Sequence, residues 1–204
     1  MADPYELFKS KAPWIIDRLM ADLPWRLDDA AACVGNAGHE SGGFKFMQEI
    51  KPVVPGSAGG YGWFQWTGPR RRAYEAWCTQ KGLVPSSDEA NYGFLLYELK
   101  GTEKAAVAKT SQAVGLYSKV VAFELGFERA GVKHYDSRYK YAQIALDAHA
   151  AANRSPQHQP VPPAPPTAPE DDEPGSMDWN DPPTTNWLAS LVAAILSIFK
   201  KPSP

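Results

Sequence analysis

The composition of the chain changes abruptly at Asn153, and that change decides which part of it can fold. Residues 155–185, "SPQHQPVPPAPPTAPEDDEPGSMDWNDPPTT", are rich in proline and acid and poor in large apolar side chains. Such a stretch cannot bury enough surface to offset the entropy of ordering it, which predicts an extended, partly polyproline linker over residues 155–186. The foldable body is therefore residues 1–154. With 44% hydrophobic and 12% aromatic residues in the 204-residue chain, there is ample material for one core.

Within that body, helix signals recur. "DDAAACVGNAGHE" opens on two Asp residues and ends at Gly42, and "PRRRAYEAWCTQKG" carries Pro69 in a first turn and Gly82 as a stop. "SSDEANYGFLLYELKG" starts at a Ser cap and stops at Gly101, with Tyr92, Leu95, Leu96 and Leu99 on one apolar face. "TSQAVGLYSKVVAFELGF" and "SRYKYAQIALDAHAA" read the same way, and no run alternates with period two. The expected class is mainly α. Only residues 44–66, broken by Pro52, Pro55 and paired glycines, suggest a short hairpin or long loop.

Charge and cysteine usage narrow the function classes. The net charge of −2 lacks the basic excess expected of a nucleic-acid partner. Six acids lie in residues 155–186 and two lysines in 187–204, leaving 17 of the 23 acids and 19 of the 21 bases in the body. That slightly positive body is compatible with an anionic wall or membrane surface. Cys33 and Cys78 make no disulfide framework and read as free, buried helix residues. The start, "MADPYELFKSKAPW", shows no basic segment followed by an apolar run, so delivery to a target outside the cytoplasm would need some other route.

The chemistry concentrates in "VGNAGHESGGFKFMQEIKPVVPGSAGGYGWFQWTG", Val34 to Gly68. Cleaving a glycosidic bond requires a carboxylic acid still protonated near neutral pH against the leaving oxygen. An acid at a helix end among apolar groups gains that property by desolvation, and Glu40 has such a position. Gly42 and Gly43 would clear space for a sugar. Tyr61, Trp63 and Trp66 offer flat faces for pyranose rings, and Gln65 offers amide donors and an acceptor. Trp77, on a helix, reads as core. Arg70, Arg71 and Arg72 read as a solvated face. The one other carboxylate between Glu40 and Gln65 is Glu49. It is the candidate base for activating water, with a structural loop role as the alternative.

Competing motifs fail on spacing. His39 and Glu40 lack the second histidine of H-E-x-x-H, because Gly43 stands there, so neither a metal nor another cofactor is expected. The loop "GSAGGYG" is not followed by the Lys-Ser/Thr pair of a phosphate loop. No local signature supports a Cys–His nucleophile pair.

"GNAGHESGGF" followed by "GGYGWFQWTGPRR" resembles the phage-tail lysozyme family, itself similar to goose-type lysozymes and lytic transglycosylases with their Glu-Ser motif and later Gly-rich segment ending in Gln. The likeness continues through "NYGFLLYEL", "FERAGV" and "SRYKYAQIAL", covering roughly residues 25–150. The resemblance implies a lysozyme-like helical domain over residues 1–154, peptidoglycan glycan strands as the partner, and Glu40 at the catalytic acid position. It makes Ser41 and the stretch from Tyr61 to Gln65 candidates for binding the glycan. Three activities are compatible: a muramidase, a lytic transglycosylase using the sugar's own hydroxyl, or a non-catalytic wall-binding module of a virion.

Beyond the linker, "NWLASLVAAILSIFKK" places Trp187, Leu188, Leu191, Val192, Ile195, Leu196, Ile198 and Phe199 on one broad helical face. At ~1.5 Å per residue such a helix is shorter than the ~30 Å hydrocarbon core of a bilayer. Residues 187–204 therefore read as a helix lying in a membrane interface, a short strained span, or a helix docking into a virion partner through residues 187–199.

Overall fold

The computed structural model describes residues 3–49, 51, 52 and 56–154. The readings of 155–186 as a linker and of 187–204 as an apolar helix lie outside the described residues. Among the described residues the fold is mainly helical, with seven α-helices, one π-helical turn and no strand. The described part of the 44–66 region is a loop pinned by isolated antiparallel bridges from Gln48 to Tyr61 and from Tyr61 to Trp66.

Helix α1 (Glu6–Asp22) buries Phe8, Ala12, Ile15, Ile16 and Leu19, the three-and-four spacing of a single apolar stripe. It ends where Leu23 becomes extended ahead of Pro24. Helix α2 (Leu27–Glu40) differs: every residue from Asp29 to Gly38 is buried. It runs through the middle of the body and packs against α1, α5 (Lys104–Gln112), α6 (Leu116–Phe123) and α7 (Tyr135–Arg154). A helix covered on all sides needs small side chains, and "AAACVGNAG" supplies them. A Cβ on Gly35 would stand 2.6 Å from the Ala142 Cβ and 2.7 Å from the Arg138 carbonyl oxygen. The missing side chain is what lets α7 approach closely enough to bring Arg138 beneath the end of α2.

Helices α3 (Gly68–Lys81) and α4 (Asp88–Lys100) follow their sequence signals. Pro69 sits in the first turn of α3, and Gly82 caps its end with φ +66°. The Ser87 hydroxyl caps α4 by accepting from the Ala90 amide at 3.1 Å. The segment "TSQAVGLYSKVVAFELGF" is not one helix. Gly115, at φ +81°, separates α5 from α6, and α6 runs into a π-helical turn, Glu124–Glu128. Cys33 and Cys78 are free and buried. No helix among the described residues is long and apolar enough to cross a membrane.

Candidate active site

Glu40 is the last residue of α2, one turn beyond Asn36. Both face Arg138, in the first turn of α7, whose side chain is 1% exposed. One guanidinium serves three partners. Its Nε donates to the Lys133 carbonyl at 2.8 Å, Nη1 to Asn36 Oδ1 at 3.0 Å and Nη2 to Glu40 Oε1 at 2.5 Å. The Asn36 amide nitrogen donates in turn to the carbonyls of Ala32 and Val120. Arg138 is therefore held from behind before it holds Glu40. This corrects the expectation of an apolar wall: one Glu40 oxygen docks on a buried cation. The Glu40 side chain stays 20% exposed, and Oε2 makes no hydrogen bond among the described residues.

The residues after Glu40 turn the chain rather than contact a sugar. Ser41 is fully buried; its hydroxyl donates to the Ala37 carbonyl at 2.7 Å and accepts from the Phe44 amide at 2.9 Å. Its expected role in binding substrate is replaced by one in ending the helix. Gly42, Gly43 and Phe44 all have positive φ, at 58°, 73° and 67°. Gly42 does not clear space for a ligand, because a Cβ there would strike the Phe46 ring at 2.6 Å. The glycines serve a left-handed reversal that other residues resist.

The aromatic cluster divides. Trp63 and Trp66 are each 1% exposed. Trp66 packs on Tyr74 and Phe94, and Trp63 on Phe44. Neither presents a face to a sugar, which corrects their reading as platform residues. They are covered because the loop folds inward onto α1, α3 and α4, a tertiary event that local glycine content does not report. Trp77, read as core, is only half-buried. Tyr61 and Gln65 remain at the surface of the loop in part. The Arg71 guanidinium lies 5.1 Å from the Tyr61 ring. The Gln65 amide nitrogen donates to the Phe46 and Gly62 carbonyls at 3.0 and 2.9 Å, and its oxygen makes no hydrogen bond among the described residues. Glu49 braces the same loop: Oε2 accepts from the Gly60 amide at 2.8 Å, and its own amide donates to the Gly60 carbonyl at 2.9 Å. No hydrogen bond joins Glu49 to Glu40 among the described residues.

Two further acids are held on other elements. Glu98, on α4, accepts from Trp66 Nε1 and from Arg70 Nε and Nη2, each at 2.8 Å, and Arg70 Nη1 donates to the Phe127 carbonyl at 3.3 Å. That ion pair anchors the π-helical turn ending at Glu128. Glu128 as a residue is half-buried, but its Oε1 is shielded from solvent and has no hydrogen-bond partner. The shielded oxygen decides its behaviour. Desolvation first, and then the charge of Glu40, hold this carboxyl well above the usual glutamate value. Sequence reasoning missed Glu128. Its only signal was the acid in "FERAGV", and nothing local shows that this acid returns to the end of α2.

His39 lies beside the ion pair, with Nδ1 2.9 Å from Ser137 Oγ and its ring 5.3 Å from that of His134. Burial, then the Arg138 charge, then His134 lower its pKa to about 4. It is neutral at neutral pH.

A family profile described as phage tail lysozyme matches residues 11–148. The match spans α1 to α7 and takes in Glu40, Glu128 and Arg138. The chain belongs to the phage tail lysozyme family, a membership that carries a lysozyme-like, peptidoglycan-degrading role in a phage virion or cell-envelope setting. No curated protein matches the chain.

Proposed function

We propose that the protein is a muramidase that hydrolyses the β-1,4 bond between N-acetylmuramic acid and N-acetylglucosamine in peptidoglycan, with Glu40 as general acid. The observation that carries this reading is the one-sided restraint of Glu40. Arg138 fixes Oε1, while Oε2 is left without a partner on a side chain that solvent reaches. A carboxyl held in one orientation with one oxygen presented outward suits proton delivery to a leaving sugar oxygen. The bonding pair of the broken C1–O bond goes to that oxygen, and water supplies the new oxygen at C1. Tyr61 and the free oxygen of Gln65 are the loop groups best placed to meet the glycan. Delivery to the wall is by the virion or by release at lysis.

A lytic transglycosylase is the second reading, and the engagement of Glu49 favours it. A carboxylate that accepts from the Gly60 amide is occupied with the loop, and the transglycosylase route requires no second carboxylate because a sugar hydroxyl attacks C1. Glu40→Gln keeps shape but cannot give a proton. Its turnover of purified peptidoglycan is expected to fall at least about 100-fold while the variant still folds, at a lowered melting temperature because the buried Arg138 loses its charged partner; lysis near the wild-type rate by the folded variant would sink the assignment. Glu49→Gln separates the routes: a steep fall marks Glu49 as the base for water, and unchanged turnover removes it from the chemistry.

A further inference from the structure

Trp63 and Trp66 are in the core, but α3 and α4 carry an aromatic surface of their own. Trp77 and Tyr97, near the ends of the two helices, line an open hollow of about 420 Å³ with Lys81, Gly93, Leu96 and Lys100. The two rings lie 6.5 Å apart, centroid to centroid, and 39° from parallel. Both rest on Phe94, which is 1% exposed and lies 5.8 Å from the Tyr97 ring and 5.9 Å from the Trp77 ring. Gly93 gives Trp77 its seat, because a Cβ there would stand 2.6 Å from the indole Cη2. Rings fixed in this way lose little freedom when a ligand arrives.

Tyr97 is 58% exposed and Trp77 half-buried, and neither the phenol hydroxyl nor the indole Nε1 makes a hydrogen bond among the described residues. Core packing calls for neither an exposed face nor a free polar tip. Lys81 and Lys100 are exposed beside them, and among the described residues neither makes an ion pair or a side-chain hydrogen bond. As last-turn bases of α3 and α4 they suit the helix dipoles. That accounts for the charges but not for the two rings next to them. Flat apolar faces with polar tips, set beside unpaired cations, fit a ligand of sugar rings that carries carboxylates. A peptidoglycan strand is such a polymer: its sugars present C–H faces, and its muramic acid side chains and stem peptides bring the carboxylates.

We propose that this hollow is a second peptidoglycan-binding site, which holds the protein on the wall by stacking sugar rings on Trp77 and Tyr97 and pairing Lys81 and Lys100 with carboxylates of the strand. It shares no residue with the group around Glu40. The site goes beyond the reading of Glu40 as the acid, because it needs only the family's substrate and would serve a hydrolase, a transglycosylase or a binding module alike. No bond is made or broken in it. Its effect is to keep the strand at a high local concentration around the protein.

The test is co-sedimentation of the full-length protein with insoluble peptidoglycan purified free of other wall polymers. Every variant also carries Glu40→Gln, so soluble fragments released report on the acid, while the pelleted protein reports on this surface. Tyr97→Ala, at an exposed position, should weaken binding at least about fivefold, the effect of truncating an anchoring side chain. Lys81→Glu combined with Lys100→Glu should weaken it by a similar factor in dilute buffer, and by much less at about 1 M salt, where the charges are screened. Gly93→Ala, which drives the Trp77 ring from its seat, should weaken binding as well; should that variant not fold, the two surface variants decide. Unchanged binding in either surface variant overturns the proposal. A discrete dimer that Tyr97→Ala dissolves would show a second copy covering the rings, and overturns it too. So does a lysine pair needed for sedimentation with phosphatidylglycerol vesicles but not with peptidoglycan, which would mark a lipid surface instead.

Discussion

Arg138 spends one guanidinium on a side-chain amide, a backbone carbonyl and a carboxylate, and each bond constrains the others. Arg138→Met would leave Glu40 without its counter-charge and Asn36 Oδ1 without its donor. Breaking a buried pair costs about 3–5 kcal/mol, and because solvent reaches part of Glu40 the loss should sit near 3 kcal/mol in urea unfolding. A loss below about 0.5 kcal/mol, the size of an ordinary surface change, would show that the pair does not organise this end of α2. Arg138→Lys should recover only part of it, because one ammonium cannot span three separated acceptors. Glu128 gives a stability prediction of definite sign. Its folded pKa is raised, so the stability it contributes is fully present below the unfolded value, close to 4.5, and is lost as pH rises toward the folded one. Glu128→Gln has no proton to lose. Its melting temperature should gain on the wild type steadily above that pH, and parallel curves in a pH series would contradict the burial of Oε1.

At the scale of elements, α2 is the scaffold of the site, and its closeness to α7 rests on Gly35. In Gly35→Ala two of the three nearest atoms are backbone, at 2.7 Å, so no flexible side chain can move aside. Overpacking of this kind costs about 1–3 kcal/mol, and because the displaced element carries Arg138, turnover should fall along with the urea midpoint. Retained stability and turnover would mean that α7 can shift without consequence. The same elements show what the sequence could and could not tell. The limits of α3 and α4 were legible because caps are local: Pro69, Gly82 and Ser87 act within a few residues of themselves. The place of Glu40 at the end of α2 was legible because the helical pattern before it and the Gly42–Gly43 break after it are contiguous. The break at Gly115 was hidden by a helical pattern that resumes on its far side. The burial of Trp63 and Trp66 was not legible, since a loop rich in glycine reads as open until α1, α3 and α4 close on it. Arg138 was missed for the same reason: it lies 98 residues from Glu40 in the chain and meets it only through the packing of α2 against α7.

On the scale of the whole molecule, these pieces form a lysozyme-family body in which a helix-end acid is anchored from beneath by a buried arginine. The peptidoglycan substrate follows from the family, while the bond cut and the fate of the sugar are consequences of the proposed chemistry. Mass spectrometry of the soluble fragments released from purified peptidoglycan tests that chemistry most directly. Hydrolysis with Glu40 as the acid predicts fragments ending in reducing N-acetylmuramic acid, each carrying one added water and absent from the Glu40→Gln digest. Fragments ending in anhydro-muramic acid, or no fragments at all from the wild-type protein, would contradict it.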